Sequence, residues 1–232
     1  MELIWQGILQ AIRLLWAGDP QVINITVLTL KVSGAATLLS LCVGIPLGAL
    51  LAVSRFPGRK VAVSLVNTGM GLPPVVVGLW VTILLWRNGP LGYFHLLYTP
   101  VAMVIAQCLI AVPIITGISV AAFQQVDRKL KLQLMALGAS RRQTLALMIR
   151  EVRLPLLAAV MAGFGGVVSE VGASMMVGGN VLGRTRVLTT ATVMEVSKGS
   201  FDTAIAISII LMVLAYGVTL GLTLLQQRGS RI

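Results

Sequence analysis

Two arginines and three threonines, Arg184, Thr185, Arg186, Thr189 and Thr190, fall within seven residues of one another, directly after a glycine-rich apolar stretch. Guanidinium groups are planar forks of donors, and beside hydroxyls they suit a tetrahedral oxyanion. Either arginine alone would equally fit a cation snorkelling at a membrane surface. Ahead of them, Gly178-Gly179-Asn180 should interrupt a helix and leave main-chain groups that only protein or a water-filled path can satisfy. Ser174 and Glu170 precede this break, and Glu170 is the one carboxylate in the apolar run Leu154–Val177. A carboxylate inside a membrane run is usually functional; its other use is to hydrogen-bond neighbouring backbone and serve packing. Because a bare carboxylate would repel an anion at a constriction, Glu170 is assigned to packing or gating. Other chemistries find little to work with. The single histidine, His95, has no catalytic partner, no Gly-x-x-x-x-Gly-Lys-Ser/Thr phosphate loop occurs, and Cys42 and Cys108 both sit in apolar runs. We therefore expect no catalytic residue, metal site, disulfide or bound cofactor, and ATP with its Mg, if used, on another chain.

What must hold these residues in place is a membrane bundle. Apolar residues make up 57% of the chain and charged residues 11%, with a mean hydropathy of +0.95, too little polar surface for a soluble globule. The net charge of +11 would suit nucleic acid, but in a membrane chain a Lys/Arg excess records which loops face the cytoplasm, and nucleic acid is excluded as a partner. Glu2 near the start and Arg13 further on do not make a cleavable signal, so no removal is expected.

Long apolar runs place five spans at about 28–53, 61–86, 99–123, 154–177 and 203–225, each near the ~20 residues a helix needs to cross a bilayer. Residues 1–20 are two-faced, with Ile4, Trp5, Ile8, Leu9, Ile12 and Trp16 at helical spacing against Gln6, Gln10 and Arg13. They predict a helix lying in the membrane interface, closed by Gly18-Asp19-Pro20, with a sixth crossing as the alternative. Twelve of the 18 Lys and Arg residues fall in 54–60, 124–153 and the tail 226–232, which sets those segments and the C-terminus inside and the N-terminus outside.

Segment 124–153 carries the signals of two short helices. Asp127 caps the first and Gly138 stops it; Ser140 caps the second, with Gln143 completing a capping box, and Pro155 falls where the next span begins. A basic surface helix touching anionic lipid is the plainer alternative.

Ala136-Leu137-Gly138-Ala139-Ser140-Arg141, followed by Leu154-Pro155, resembles the cytoplasmic coupling loop of binding-protein-dependent ABC permeases. Leu132, Gln133 and Leu134 stand where that family usually has Glu-Ala-Ala. Ser169-Glu170-Val171-Gly172-Ala173-Ser174-Met175-Met176-Val177-Gly178-Gly179-Asn180, with Gly183, Thr185-Arg186 and Leu188-Thr189-Thr190-Ala191, is similar to the tungstate-uptake permeases, relatives of the molybdate and sulfate permeases. Gly71-Leu72-Pro73-Pro74-Val75-Val76-Val77-Gly78-Leu79 and Gly89-Pro90-Leu91-Gly92 are similar to the same group, over a stretch from about Thr26 to Leu225.

The resemblance implies an all-α integral membrane protein of the type I ABC importer permease fold, in the cytoplasmic membrane of a prokaryote. It implies a homodimer with the path at the subunit interface, two ATP-binding cassette ATPase subunits, and an external substrate-binding protein that delivers the anion. Ala136, Gly138, Ala139, Ser140 and Arg141 would couple to the ATPase. Glu170, Ser174, Gly178, Gly179, Asn180, Arg184, Thr185, Arg186, Thr189 and Thr190 would lie on the path or gate. The rival from another class is a stand-alone channel or ion-coupled carrier, against which the absence of an internal repeat and of paired ionisable residues counts.

Overall fold

The computed structural model describes residues 2–229. Residues 230–232 of the expected tail lie outside the described residues, as do the side chains of residues 2–4, 15, 128, 131, 135, 141 and 228, so nothing follows for the Arg141 side chain. Among the described residues every regular element is helical: α1 Glu2–Trp16, α2 Pro20–Val53, α3 Arg59–Met70, α4 Pro74–Leu85, α5 Pro100–Gln124, α6 Arg128–Ala136, α7 Arg141–Glu151, α8 Arg153–Val168, α9 Gly172–Gly178, α10 Leu188–Ser197 and α11 Phe201–Gly229, with one 3-10 turn at Gly92–Phe94.

Two rods form the centre. The first, α2, has 34 residues and is about 51 Å long at 1.5 Å per residue, well beyond the ~30 Å hydrocarbon thickness. It starts eight residues before the expected span because the Asp19 carboxylate accepts from the N–H groups of Gln21 (2.8 Å) and Val22 (3.0 Å) while Pro20 occupies the first turn. Its partner is α5, and the two approach through Gly44 and Gly48: a Cβ on Gly48 would stand 2.4 Å from the Ser119 Cβ. Small residues four apart let the backbones close in where lipid offers no hydrophobic drive for association.

Neither the second nor the fourth apolar run is a continuous span. α3 and α4 meet at a bend of 102°, and α8 and α9 at 58°. The first break follows from Gly71-Leu72-Pro73-Pro74, since two prolines remove consecutive N–H donors and hold the residue before them out of the helical region. Among the described residues three helices are long and apolar enough to cross a membrane, α2, α5 and α11, or up to five spans if each bent pair is one.

α1 docks along α11 with Ala11 buried, Gly7 against Ile205, and the Gln10 amide donating to the Thr203 hydroxyl at 3.1 Å. Its Trp5, Ile12 and Trp16 are exposed, and the left-handed Gly18 (φ 62°) ends it. α6 and α7 form the helix-turn-helix that the caps specify. Asp127 accepts from the Lys129 N–H at 2.8 Å, Gly138 is left-handed (φ 74°), and Ser140 and Gln143 exchange bonds of 2.8 and 3.3 Å. One helix, α10, has no counterpart among the expected elements; it packs on α11 and follows the cationic segment directly.

Candidate functional site

The 58° break between α8 and α9 is built by Glu170. Its side chain is 7% exposed, and its Oε1 accepts from the Ala173 N–H at 2.7 Å, capping the first turn of α9. Its own carbonyl accepts from the Thr189 hydroxyl at 3.1 Å, so α10 pins the break from behind. Ser174, one turn into α9, accepts from the Gln107 amide of α5 at 3.4 Å and is buried. α9 also lies unusually close to α4, where a Cβ on Gly78 would stand 2.6 Å from the Ala173 Cα.

α9 ends at the Gly178-Gly179-Asn180 interruption. Gly179 and Asn180 are both left-handed (φ 69° and 51°), the Gly179 N–H donates to Met175 O at 2.9 Å, and Tyr98 lies against Gly179. The chain then ties a knot: the N–H groups of Arg184, Thr185 and Arg186 all donate to Val181 O, at 3.1, 2.9 and 3.0 Å. Thr185 is fully buried, donating to Gly178 O at 2.6 Å and accepting from the Val181 N–H at 2.9 Å. Thr190 likewise accepts from the Val187 N–H at 3.1 Å at the start of α10. The threonine hydroxyls expected to share an anion with the arginines are bonded to backbone, where they shape the segment.

Arg186 is half-buried and oriented by Asn180, its Nε donating to Asn180 Oδ1 at 3.2 Å and its Nη2 to Asn180 O at 3.3 Å. Arg184 is exposed. Both line a cleft of about 540 Å³ whose opposite wall is the first third of α2, with Gln21, Asn24, Leu28 and Lys31. Three cations and two amides thus face one cleft, and no carboxylate lines it. Lys31 is the functional candidate that the sequence reading leaves out. Its signal is the spacing 21, 24, 28, 31, one face of a helix, which becomes visible only once Asp19 is recognised as a cap and α2 is started at Pro20.

At the other end of α2 lies the turn between α6 and α7. Among the described residues nothing lies within 4 Å of where a Gly138 Cβ would stand, and Ala136 and Ser140 are exposed with Ala139 half-buried. α7 is anchored by Met148, which is buried with Ala49 of α2 and with Ala122 and Phe123 of α5. From Lys31 to Ala49 the unbroken α2 spans about 27 Å. One helix, with Pro46 inside it, therefore joins the cationic cleft to the helix that Met148 fixes.

Residues 44–230 match the binding-protein-dependent transport system inner membrane component family. A tungstate uptake system permease protein of Peptoclostridium acidaminophilum is 38% identical over 227 residues, covering 98% of this chain and 100% of that one. A tungstate uptake system permease protein of Campylobacter jejuni is 34% identical over 216 residues, covering 93% and 90%. Among solved structures, the inward-facing MetNI methionine ABC transporter superposes with a TM-score of 0.72 at 18% identity, covering 91% of this chain and 98% of that one.

Proposed function

The chain belongs to the family of binding-protein-dependent transport system inner membrane components, and from that premise we propose that it passes a tetrahedral dianion, tungstate first among them, inward through the Lys31–Arg184–Arg186 cleft. The family makes it a multi-pass permease, a transport subunit of an importer; that ATP is hydrolysed on another chain is part of the proposal. The finer assignments are ours: two copies of the chain flank the path, two ATPase subunits hold ATP and Mg and press on the α6–α7 turn, and an external binding protein delivers the anion.

The observation that carries this proposal is the cleft, where three cations face one another with no carboxylate among them. A dianion leaving its binding protein sheds water, and fixed donors replace part of that hydration with charge-assisted hydrogen bonds. Binding there stays modest, because a path must release what it holds. Glu170 is buried behind the break, where it caps α9 without facing the anion. Molybdate and sulfate carry the same charge and shape, and both permeases are in the group the motifs resemble. Competition for uptake by excess molybdate or sulfate, at fixed binding protein, ranks the three.

Lys31→Gln with Arg184→Gln removes two charges carried by exposed side chains. Two charge–dianion attractions across a partly solvated cleft are each worth on the order of 1 kcal/mol, so uptake should fall roughly tenfold or more, with membrane insertion and basal ATPase activity unchanged. Adding Arg186→Gln should deepen the loss. Wild-type uptake by the double variant, with the binding protein saturating, would leave these residues as interfacial cations only.

The orientation rests on the basic residues, with the α6–α7 turn inside. A cysteine at Asn88 should react with an impermeant reagent in intact cells, and one at Gln143 only after the cells are opened; both positions are exposed. The reverse pattern of labelling would invert the topology.

A further inference from the structure

A second cationic cleft, of about 710 Å³, lies at the end of the bundle that carries α6 and α7. Arg55 and Arg59 line it, with Val53, Phe123, Val126 and Met148 as its apolar walls. Nothing in the import cycle described above uses it. We propose that this cleft is a binding site for an anionic phospholipid, its phosphodiester between the two guanidinium groups and its glycerol and upper acyl carbons against the apolar wall.

Position argues for lipid first. α2 ends at Val53 and α5 at Gln124, so the cleft opens where two membrane-crossing helices leave the apolar zone. Leu50, Val53 and Phe56 are exposed beside it, which makes its apolar wall continuous with the surface that lipid tails cover. Charge argues next. Arg55 is exposed, and Arg59 is held in place by its Nε donating to Leu51 O, which leaves the rest of its fork free to turn toward a phosphate. No carboxylate lines the cleft, and Asp127, beside Val126, is occupied in capping α6. A basic pocket between helices at the membrane boundary is the arrangement that holds acidic headgroups. The cleft reaches Met148 of α7, so an occupant would brace the helix that transmits the ATPase stroke.

The test is native mass spectrometry of the full chain in detergent, incubated with phosphatidylglycerol or with phosphatidylcholine. Phosphatidylglycerol should be retained on the wild type. Arg55→Gln with Arg59→Gln should lower that retention roughly 25-fold, the product of about fivefold for each basic residue at an anionic surface. Arg55→Gln alone, at an exposed side chain, should lower it about fivefold, and Arg55→Lys with Arg59→Lys should restore most of it. Lys60→Gln with Lys129→Gln, also exposed but outside the cleft, should change it by less than about twofold. Equal losses in both pairs of variants would reduce the effect to diffuse attraction and overturn the site. Displacement of the lipid by glycerol 3-phosphate or tungstate at matched concentration would instead make it a soluble-anion site. Loss of the retained lipid whenever an ATPase subunit binds would assign the cleft to that contact.

Discussion

Replacing Gly78 by valine should leave little folded protein in the membrane, and replacing it by alanine should lower the melting temperature in detergent by roughly 5–10 °C. A Cβ at this position stands 2.6 Å from the Ala173 Cα and 3.1 Å from its Cβ, so the obstacle is backbone that cannot rotate out of the way. The helix that would have to yield is α9, and it is held on three sides. Glu170 caps it, the Tyr98 N–H donates to Val177 O at 2.9 Å, and the Thr185 hydroxyl holds Gly178 O. Overpacking of a rigid core typically costs about 1–3 kcal/mol, and each kcal/mol moves the midpoint of a chain this size by roughly 2–4 °C. Gly34→Ala is the matched control, because its Cβ would meet nothing within 4 Å and alanine favours the helix. Thermal unfolding followed by tryptophan fluorescence separates the two. Equal midpoints for Gly78→Ala and Gly34→Ala would mean that α4 and α9 do not touch as described.

That contact also marks the limit of what sequence shows. Local signals with a fixed partner a few residues away were readable: the Ser140–Gln143 box, the stop at Gly138 and the interruption at Gly179 each specify one backbone conformation. The 102° bend lay in plain view as Gly-Leu-Pro-Pro, but run length and hydropathy report only that residues 61–86 are apolar, and a bent pair is as apolar as a straight rod. The break at Glu170 was harder. No proline marks it; it exists because a buried carboxylate caps a new helix and Thr189, nineteen residues away, braces its carbonyl. Hydroxyls beside arginines suggest a place on the anion path, and the backbone partner that each threonine has is one that only the folded loop supplies. Lys31 is not legible in the sequence for the converse reason, as the residues it faces across the cleft come from a segment more than 150 residues on.

Coupling through the α6–α7 turn is where the largest functional effect should appear. Gly138 is left-handed, and a Cβ there would meet nothing within 4 Å among the described residues, so an aspartate strains the backbone by about 1 kcal/mol. Its main effect is expected from the charge it places on the surface that, in the function proposed above, an ATPase subunit would press. Gly138→Asp should therefore leave the permease folded and inserted while transport collapses.

The decisive measurement is uptake of radiolabelled tungstate into proteoliposomes that contain this chain with its ATPase subunits, with the binding protein outside and ATP within. Uptake should require the ATP, the ATPase and the binding protein together, and should fall at least tenfold, roughly, in Gly138→Asp at unchanged protein content, a loss of the kind expected when a coupling contact of about 1.4 kcal/mol or more is removed. Tungstate entry that proceeds without the ATPase, or that follows an imposed ion gradient, would contradict the account and identify a carrier that works alone.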